Sequence, residues 1–222
     1  MRHALALVFT LLTVHSALAD TKPNFIVVFC DDLGYADIGP FGSKTHDTPV
    51  LDRMAREGMR LTDFYSTCSV CTPSRSSLMT GCYARRVGMH EDFTGHWVLI
   101  PRSRRGLNPK ELTVAEALKA KGYATICIGK WHLGMNMTRR EGGKPARDRW
   151  DGDGNVDFTK PIADSPITRG FHEYFGVSAS LDMAPYVWIE NDRFVPAKLV
   201  QQPGIKFPGF CLLYTSPSPR DS

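Results

Sequence analysis

Asn24-Phe25-Ile26-Val27-Val28-Phe29-Cys30, followed at once by Asp31-Asp32-Leu33-Gly34-Tyr35, is the stretch that decides the fold. Its near-continuous run of β-branched and aromatic residues is the pattern of a strand buried on both faces of a parallel sheet. Downstream, Thr48 caps, Pro49 opens and Gly58 closes a helix reaching about Glu57. Thr113 caps a second helix from Val114 to Lys121, ended by Gly122. Tyr123 to Ile128 then reads as another buried strand, running into the polar turn Gly129-Lys130-Trp131-His132. Strand, helix and strand alternate, which predicts an α/β domain with a mainly parallel sheet flanked by helices. The polar, Gly- and Pro-containing stretch from Met135 to Arg169 reads as a long surface insertion.

The two ends read differently. Arg2 and His3, the apolar run Ala4 to Val14 and the small-residue site Ala17-Leu18-Ala19 have the order of a cleavable export signal over residues 1–19. The run is too short to span a bilayer, so a secreted or otherwise exported protein with no membrane partner is expected, in the periplasm, lysosome or extracellular space according to host. Cys211 to Ser222, with Pro217 and Pro219, has no helical or strand period and resembles a translated sequencing adapter. Residues 211–222 are therefore expected to be foreign to the gene, with the authentic frame breaking off near Phe210. The formal charge of +4, lowered by one when Arg2 is removed, is too mild to imply a nucleic-acid partner. The clusters Arg102/Arg104/Arg105 and Arg139/Arg140/Lys144/Arg147/Arg149 suit either solvated loops or an anionic substrate. Without Cys211, the odd set Cys30, Cys68, Cys71, Cys82 and Cys127 leaves one unpaired thiol to explain in an exported protein.

Cys71-Thr72-Pro73-Ser74-Arg75, continuing Ser76-Ser77-Leu78-Met79-Thr80-Gly81, carries the chemistry. A group at a helix start meets backbone N–H donors that favour an anion. Pro73 fits a first helical turn because it has no N–H to leave unsatisfied. Arg75 offers a fixed guanidinium fork for oxygen ligands. Ligands of open α/β sheets bind beyond the carboxyl ends of the strands, where two further clusters fall. Adjacent carboxylates such as Asp31 and Asp32 repel unless a cation neutralises them, and such hard oxygens suit Ca²⁺ or Mg²⁺; taken alone, the pair reads more simply as a turn. Lys130 and His132 share one side, with Trp131 on the other, if extended geometry continues through them.

Three other patterns suggest further chemistry. Cys68-x-x-Cys71 has redox-motif spacing, but Ser69-Val70 between the cysteines and Pro-Ser-Arg after them do not match a thioredoxin-like context. Asp151-Gly152-Asp153-Gly154-Asn155-Val156-Asp157 suggests a calcium loop. Val156 stands where the turn Gly belongs and Ile162 where the bidentate Glu belongs, so a surface loop is expected. Asn136-Met137-Thr138 is an acceptor for N-glycosylation in a eukaryotic host.

Five landmarks occur in the order and spacing of the sulfatases, which this chain resembles over most of its length. They are Pro23 to Tyr35, Thr48-Pro49 to Arg53, the Cys71 segment, Gly129-Lys130-Trp131-His132-Leu133-Gly134, and Arg169-Gly170-Phe171 to Phe175-Gly176. The resemblance implies an alkaline-phosphatase-like α/β fold, here truncated, with residues 20–210 as the N-terminal part of the catalytic domain. It further implies that a formylglycine-generating enzyme oxidises Cys71 to an aldehyde whose hydrate is both nucleophile and metal ligand. Asp31 and Asp32 would hold Ca²⁺, or Mg²⁺, with it. Arg75 would steady the nucleophile, Lys130 and His132 would bind sulfate and substrate oxygens, and Ser180 would contact the sulfate. The implied substrate is a sulfate ester, either an aryl sulfate or a sulfated glycan. The family's remaining metal ligands, an Asp-Asn pair, with a further His and Lys, are expected beyond Phe210. A phosphate- or phosphonate-ester hydrolase of the same architecture remains open, as does an inactive secreted glycan-binding protein.

Overall fold

In the computed structural model, which describes residues 22–92, 95–101, 103, 105–142 and 155–195, the sheet holds four strands. They are β1 (Ile126–Lys130), β2 (Glu173–Val177), β3 (Ile189–Glu190) and β4 (Arg193–Phe194), adjacent in that order. β1 and β2 run parallel, in register from Ile126↔Glu173 to Lys130↔Val177. The short β2–β3 and β3–β4 pairings are antiparallel. Asn191 lets the β3–β4 hairpin turn tightly, because its φ of 56° is one that an Asn side chain tolerates. The chain divides into two units, Met1–Leu61 and Thr62–Ser222, and the whole sheet lies in the second.

The core of the second unit gathers Met89, Leu99, Leu107, Trp131, Leu133, Met135, Tyr174 and Ile189. Two helices border it: α2 (Cys71–Thr80) and α3 (Val114–Lys119), which follow α1 (Pro49–Glu57) of the first unit. α3 starts on a capping box, with Thr113 Oγ1 accepting from Glu116 N–H and Glu116 Oε2 accepting from Thr113 N–H. The Thr113 hydroxyl also donates to Arg169 O at 2.8 Å, tying the helix start to the segment entering β2.

In the second unit, the expectations for two segments need correction. β1 begins three residues later than the sequence reading placed it and is not buried on both faces: Ile126 and Ile128 are exposed, and Cys127 turns toward the core. The described parts of 135–169, residues 135–142 and 155–169, do not form a surface insertion. Met135, Met137, Val156 and Ile162 are core residues, joined by the bridges Met137↔Ile162 and Arg139↔Val156. Their polar neighbours point outward, which hid a period-two pattern in a polar composition. This also disposes of the calcium-loop pattern, since Val156 and Ile162 serve the core; residues 151–154 lie outside the described residues.

In the first unit, Asn24 to Cys30 forms no regular element and joins no ladder among the described residues, and Ile26 is 89% exposed. Strand propensity expresses fit to a neighbouring pleated surface, and no described strand supplies that neighbour. α1 forms as expected between Thr48 and Gly58, though the Thr48 hydroxyl accepts from Gly39 N–H at 2.8 Å instead of capping its own helix. Two 3₁₀ turns, Tyr35–Asp37 and Gly39–Phe41, precede it, with the Tyr35 and Phe41 rings 4.3 Å apart.

Candidate active site

Cys71 is the first residue of α2, entered through Val70 in extended conformation and ended by Gly81 at φ 66°. Thr72 and Arg75, three apart, share the helix face that meets the end of β1. Arg75 Nη1 donates to Lys130 O at 2.7 Å, and Thr72 Oγ1 donates to His132 O at 2.9 Å. Lys130 Nζ in turn donates to Cys71 Sγ at 3.1 Å. The sequence-predicted Cys71, Arg75, Lys130 and His132 thus come together, through two helix side chains that hold the carbonyls on either side of Trp131.

Lys130 and His132 do not project as alternation required. Extended geometry stops after Lys130, because His132 adopts φ 59°, and its N–H donates to Ser178 O at 2.9 Å. A non-glycine residue held in this left-handed region costs about 1 kcal/mol, which the surrounding bonds offset. His132 is buried, with Nε2 2.6 Å from Leu99 O. A carbonyl only accepts, so Nε2 carries the proton and Nδ1 is the basic nitrogen of the neutral ring.

Behind this layer, Tyr174 is buried, and its hydroxyl reaches Gly129 O at 3.1 Å and Val177 O at 2.9 Å, bracing the same strand ends. Burial, with nearby Cys127 adding to it and Arg75 opposing, holds its phenol protonated far above the usual range. Burial likewise pushes the Cys127 thiol up to about 11, against the pull of Arg75. At about pH 8 only about one Cys127 in a thousand would be thiolate, so it is expected to be the slowest of the cysteines to react with iodoacetamide. Peptide mass mapping over a time course checks this; Cys127 alkylated as fast as exposed Cys30 would refute its burial. Cys30, Cys68, Cys71, Cys82 and Cys127 are all free thiols.

Ser180 belongs to the second unit and is half-buried, two residues beyond the Ser178 carbonyl that His132 N–H meets. Asp31 and Asp32 belong to the first unit, exposed on a bend where Asp32 takes φ 51°. Their hard oxygens suit Ca²⁺ or Mg²⁺, yet calcium takes about six to eight oxygen ligands. Among the described residues no group of three or more His, Cys, Asp or Glu side chains is gathered for a metal. Two carboxylates alone do not complete such a site.

A cavity of about 730 Å³ is lined by Arg86, Arg105, Glu111, Asp164 and Arg169 and by none of the candidate residues. Its cations are engaged: Arg169 with Asp164 at 2.8 Å, Arg86 with Cys82 Sγ, and Arg105 with Gly88 O. The export signal at residues 1–19, the tail at 211–222, and Arg102, Arg104, Lys144, Arg147 and Arg149 lie outside the described residues. No helix among the described residues is long and apolar enough to cross a membrane.

The sulfatase family model matches residues 23–195, and the chain belongs to the sulfatase family. Human arylsulfatase A is 41% identical over 176 residues, which are 79% of this chain and 29% of that protein. Steryl-sulfatase of Mus musculus is 40% identical over 159 residues, 72% of this chain and 22% of that protein. The chain thus spans less than a third of the length of these relatives. A solved structure from work on glycosaminoglycan metabolism by Bacteroides thetaiotaomicron superposes with a TM-score of 0.64 at 35% identity, covering 79% of this chain and 32% of that one. The expected α/β, alkaline-phosphatase-like fold stands. Sequence reasoning missed Thr72, Leu99 and Tyr174. Thr72 lay inside the quoted signature, while Leu99 acts through its backbone and leaves no side-chain signal.

Proposed function

We propose that the protein to which this chain belongs hydrolyses sulfate esters, with formylglycine made from Cys71 as the nucleophile. The observation that carries this reading is Lys130 Nζ at 3.1 Å from Cys71 Sγ, at a helix start that Arg75 joins to the Lys130 carbonyl. The sulfur stands where one oxygen of the hydrated aldehyde would be. One hydroxyl of that hydrate loses its proton and attacks sulfur while the ester oxygen takes up a proton and departs as the alcohol; the second hydroxyl then loses its proton, expels sulfate and restores the aldehyde. Lys130 stabilises the nucleophilic oxygen and the charge growing on the sulfuryl group. Arg75 acts here by fixing the carbonyl of Lys130. His132, held through its Nε2–H bond to Leu99 O, is assigned to the substrate oxygens on the resemblance. On the resemblance, Asp31 and Asp32 would supply hard carboxylate ligands to Ca²⁺ or Mg²⁺, a cation whose charge would help polarise a sulfate ester. Ser180 is assigned to the sulfate on the resemblance alone.

The family supports a sulfate ester as substrate, and the similarity to a protein studied for glycosaminoglycan metabolism favours a sulfated glycan over a small aryl sulfate. Export and maturation by a formylglycine-generating enzyme belong to the same reading. Mass spectrometry of the Cys71 peptide from cells carrying such an enzyme is expected to show aldehyde in place of thiol. Unmodified thiol in a preparation that still hydrolyses aryl sulfate would overturn the nucleophile, and faster hydrolysis of aryl phosphate would overturn the substrate class.

A further inference from the structure

We infer that Thr72, the residue between the nucleophile position and Pro73, is a positioning residue that fixes the ring of His132 through the backbone of Leu99. This inference rests on the sulfate-ester reading for its kinetic consequence, but its geometry stands independently. Thr72 is 1% exposed, and its single hydroxyl makes two bonds. It donates to His132 O at 2.9 Å and accepts from Leu99 N–H at 3.1 Å. Leu99 O completes the circuit by accepting from His132 Nε2 at 2.6 Å. Three segments distant in sequence, the start of α2, the turn after β1 and the stretch around Leu99, therefore meet at one oxygen.

The chemistry requires a hydroxyl there. A methyl group can neither donate to the His132 carbonyl nor accept from Leu99, and an amide or carboxamide is too large for so closed a position. Donation to His132 O also helps hold the φ of 59° from which the ring reaches Leu99. The same hydroxyl holds the backbone of Leu99 through its N–H, and the carbonyl of that residue decides which imidazole nitrogen keeps the proton. Thr72 thus sets the tautomer of a neighbouring histidine without touching its imidazole, and it does so one residue from the nucleophile position.

Thr72→Val keeps the shape and removes both bonds, whereas Thr72→Ser keeps them. In the full-length natural protein, Thr72→Val is expected to lower kcat by about 10- to 100-fold with KM changed less than about threefold, because substrate contacts remain and a catalytic side chain is misplaced. Thr72→Ser is expected to restore kcat to within about threefold of the wild type. The second readout is ¹⁵N-histidine NMR. Wild type and Thr72→Ser should show His132 as the Nε2–H tautomer with a slowly exchanging proton, and Thr72→Val should show mixed tautomers and fast exchange. A wild-type His132 protonated on Nδ1 overturns the inference even if no variant folds. So does a Thr72→Val protein with wild-type kinetics and spectrum. If the wild type hydrolyses no sulfate ester but gives the expected spectra, the proposed function fails and the positioning role of Thr72 survives.

Discussion

Cys71→Ala is expected to remove sulfate-ester hydrolysis from the full-length protein, a fall in kcat of about 10⁴-fold or more, with stability nearly unchanged. The size follows from the role: without a side chain that can become the aldehyde hydrate, no covalent step is left to catalyse. The neutrality in stability follows from position. Cys71 is half-buried at the first turn of α2, Ala is the best helix former, and the thiol accepts from Lys130 Nζ, a bond that water can replace. Lys130→Ala makes the contrast. The nucleophile would remain but lose its neighbouring cation, so a smaller loss of about 10²- to 10³-fold is expected. Measuring kcat and the urea midpoint side by side for both variants checks the pair. Activity within tenfold of wild type in Cys71→Ala, with the fold intact, would remove Cys71 from the mechanism.

The part of this site legible in the sequence was the part written in side chains near one another in the chain. Cys71, Pro73 and Arg75 announced a helix start, and α2 begins at Cys71. Thr113 and Gly122 likewise marked α3, whose cap depends only on residues within one turn. What failed depended on distant partners. Asn24 to Cys30 has every local mark of a buried strand, yet a strand exists only through a ladder, and none is described for it. Met137 and Ile162 looked like loop residues because their pairing spans a polar stretch that no local window connects. His132 was expected beside Lys130 by alternation; its left-handed backbone is imposed by Thr72 and Ser178 from two other segments, and alternation cannot foresee that.

Gly134→Ala is expected to prevent or severely weaken folding of the second unit, by about 3 kcal/mol or more. Gly134 closes the Gly-Lys-Trp-His-Leu-Gly segment at φ 85°, where any side chain is strained. The larger effect is steric. A Cβ there would run into the backbone of Arg105 and Gly106, and one on Gly106 would meet Leu133 O at 2.7 Å. The two backbones are in contact, and Leu107 N–H donates to Leu133 O at 3.0 Å. Separating them would break that bond and draw Leu107 and Leu133, both buried, out of contact. It would also disturb Trp131, whose Nε1–H donates to Gly134 O at 3.0 Å, and with it the turn that presents Lys130 and His132. Gly122→Ala isolates the conformational part, since Gly122 has a similar φ of 82° and open space around its Cβ position. It is expected to lose only about 1 kcal/mol. Urea midpoints of the two variants distinguish the contributions: equal losses would mean that the backbone contact beneath Gly134 adds nothing, whereas a loss confined to Gly134→Ala, with turnover falling alongside it, ties the glycine to the site it supports.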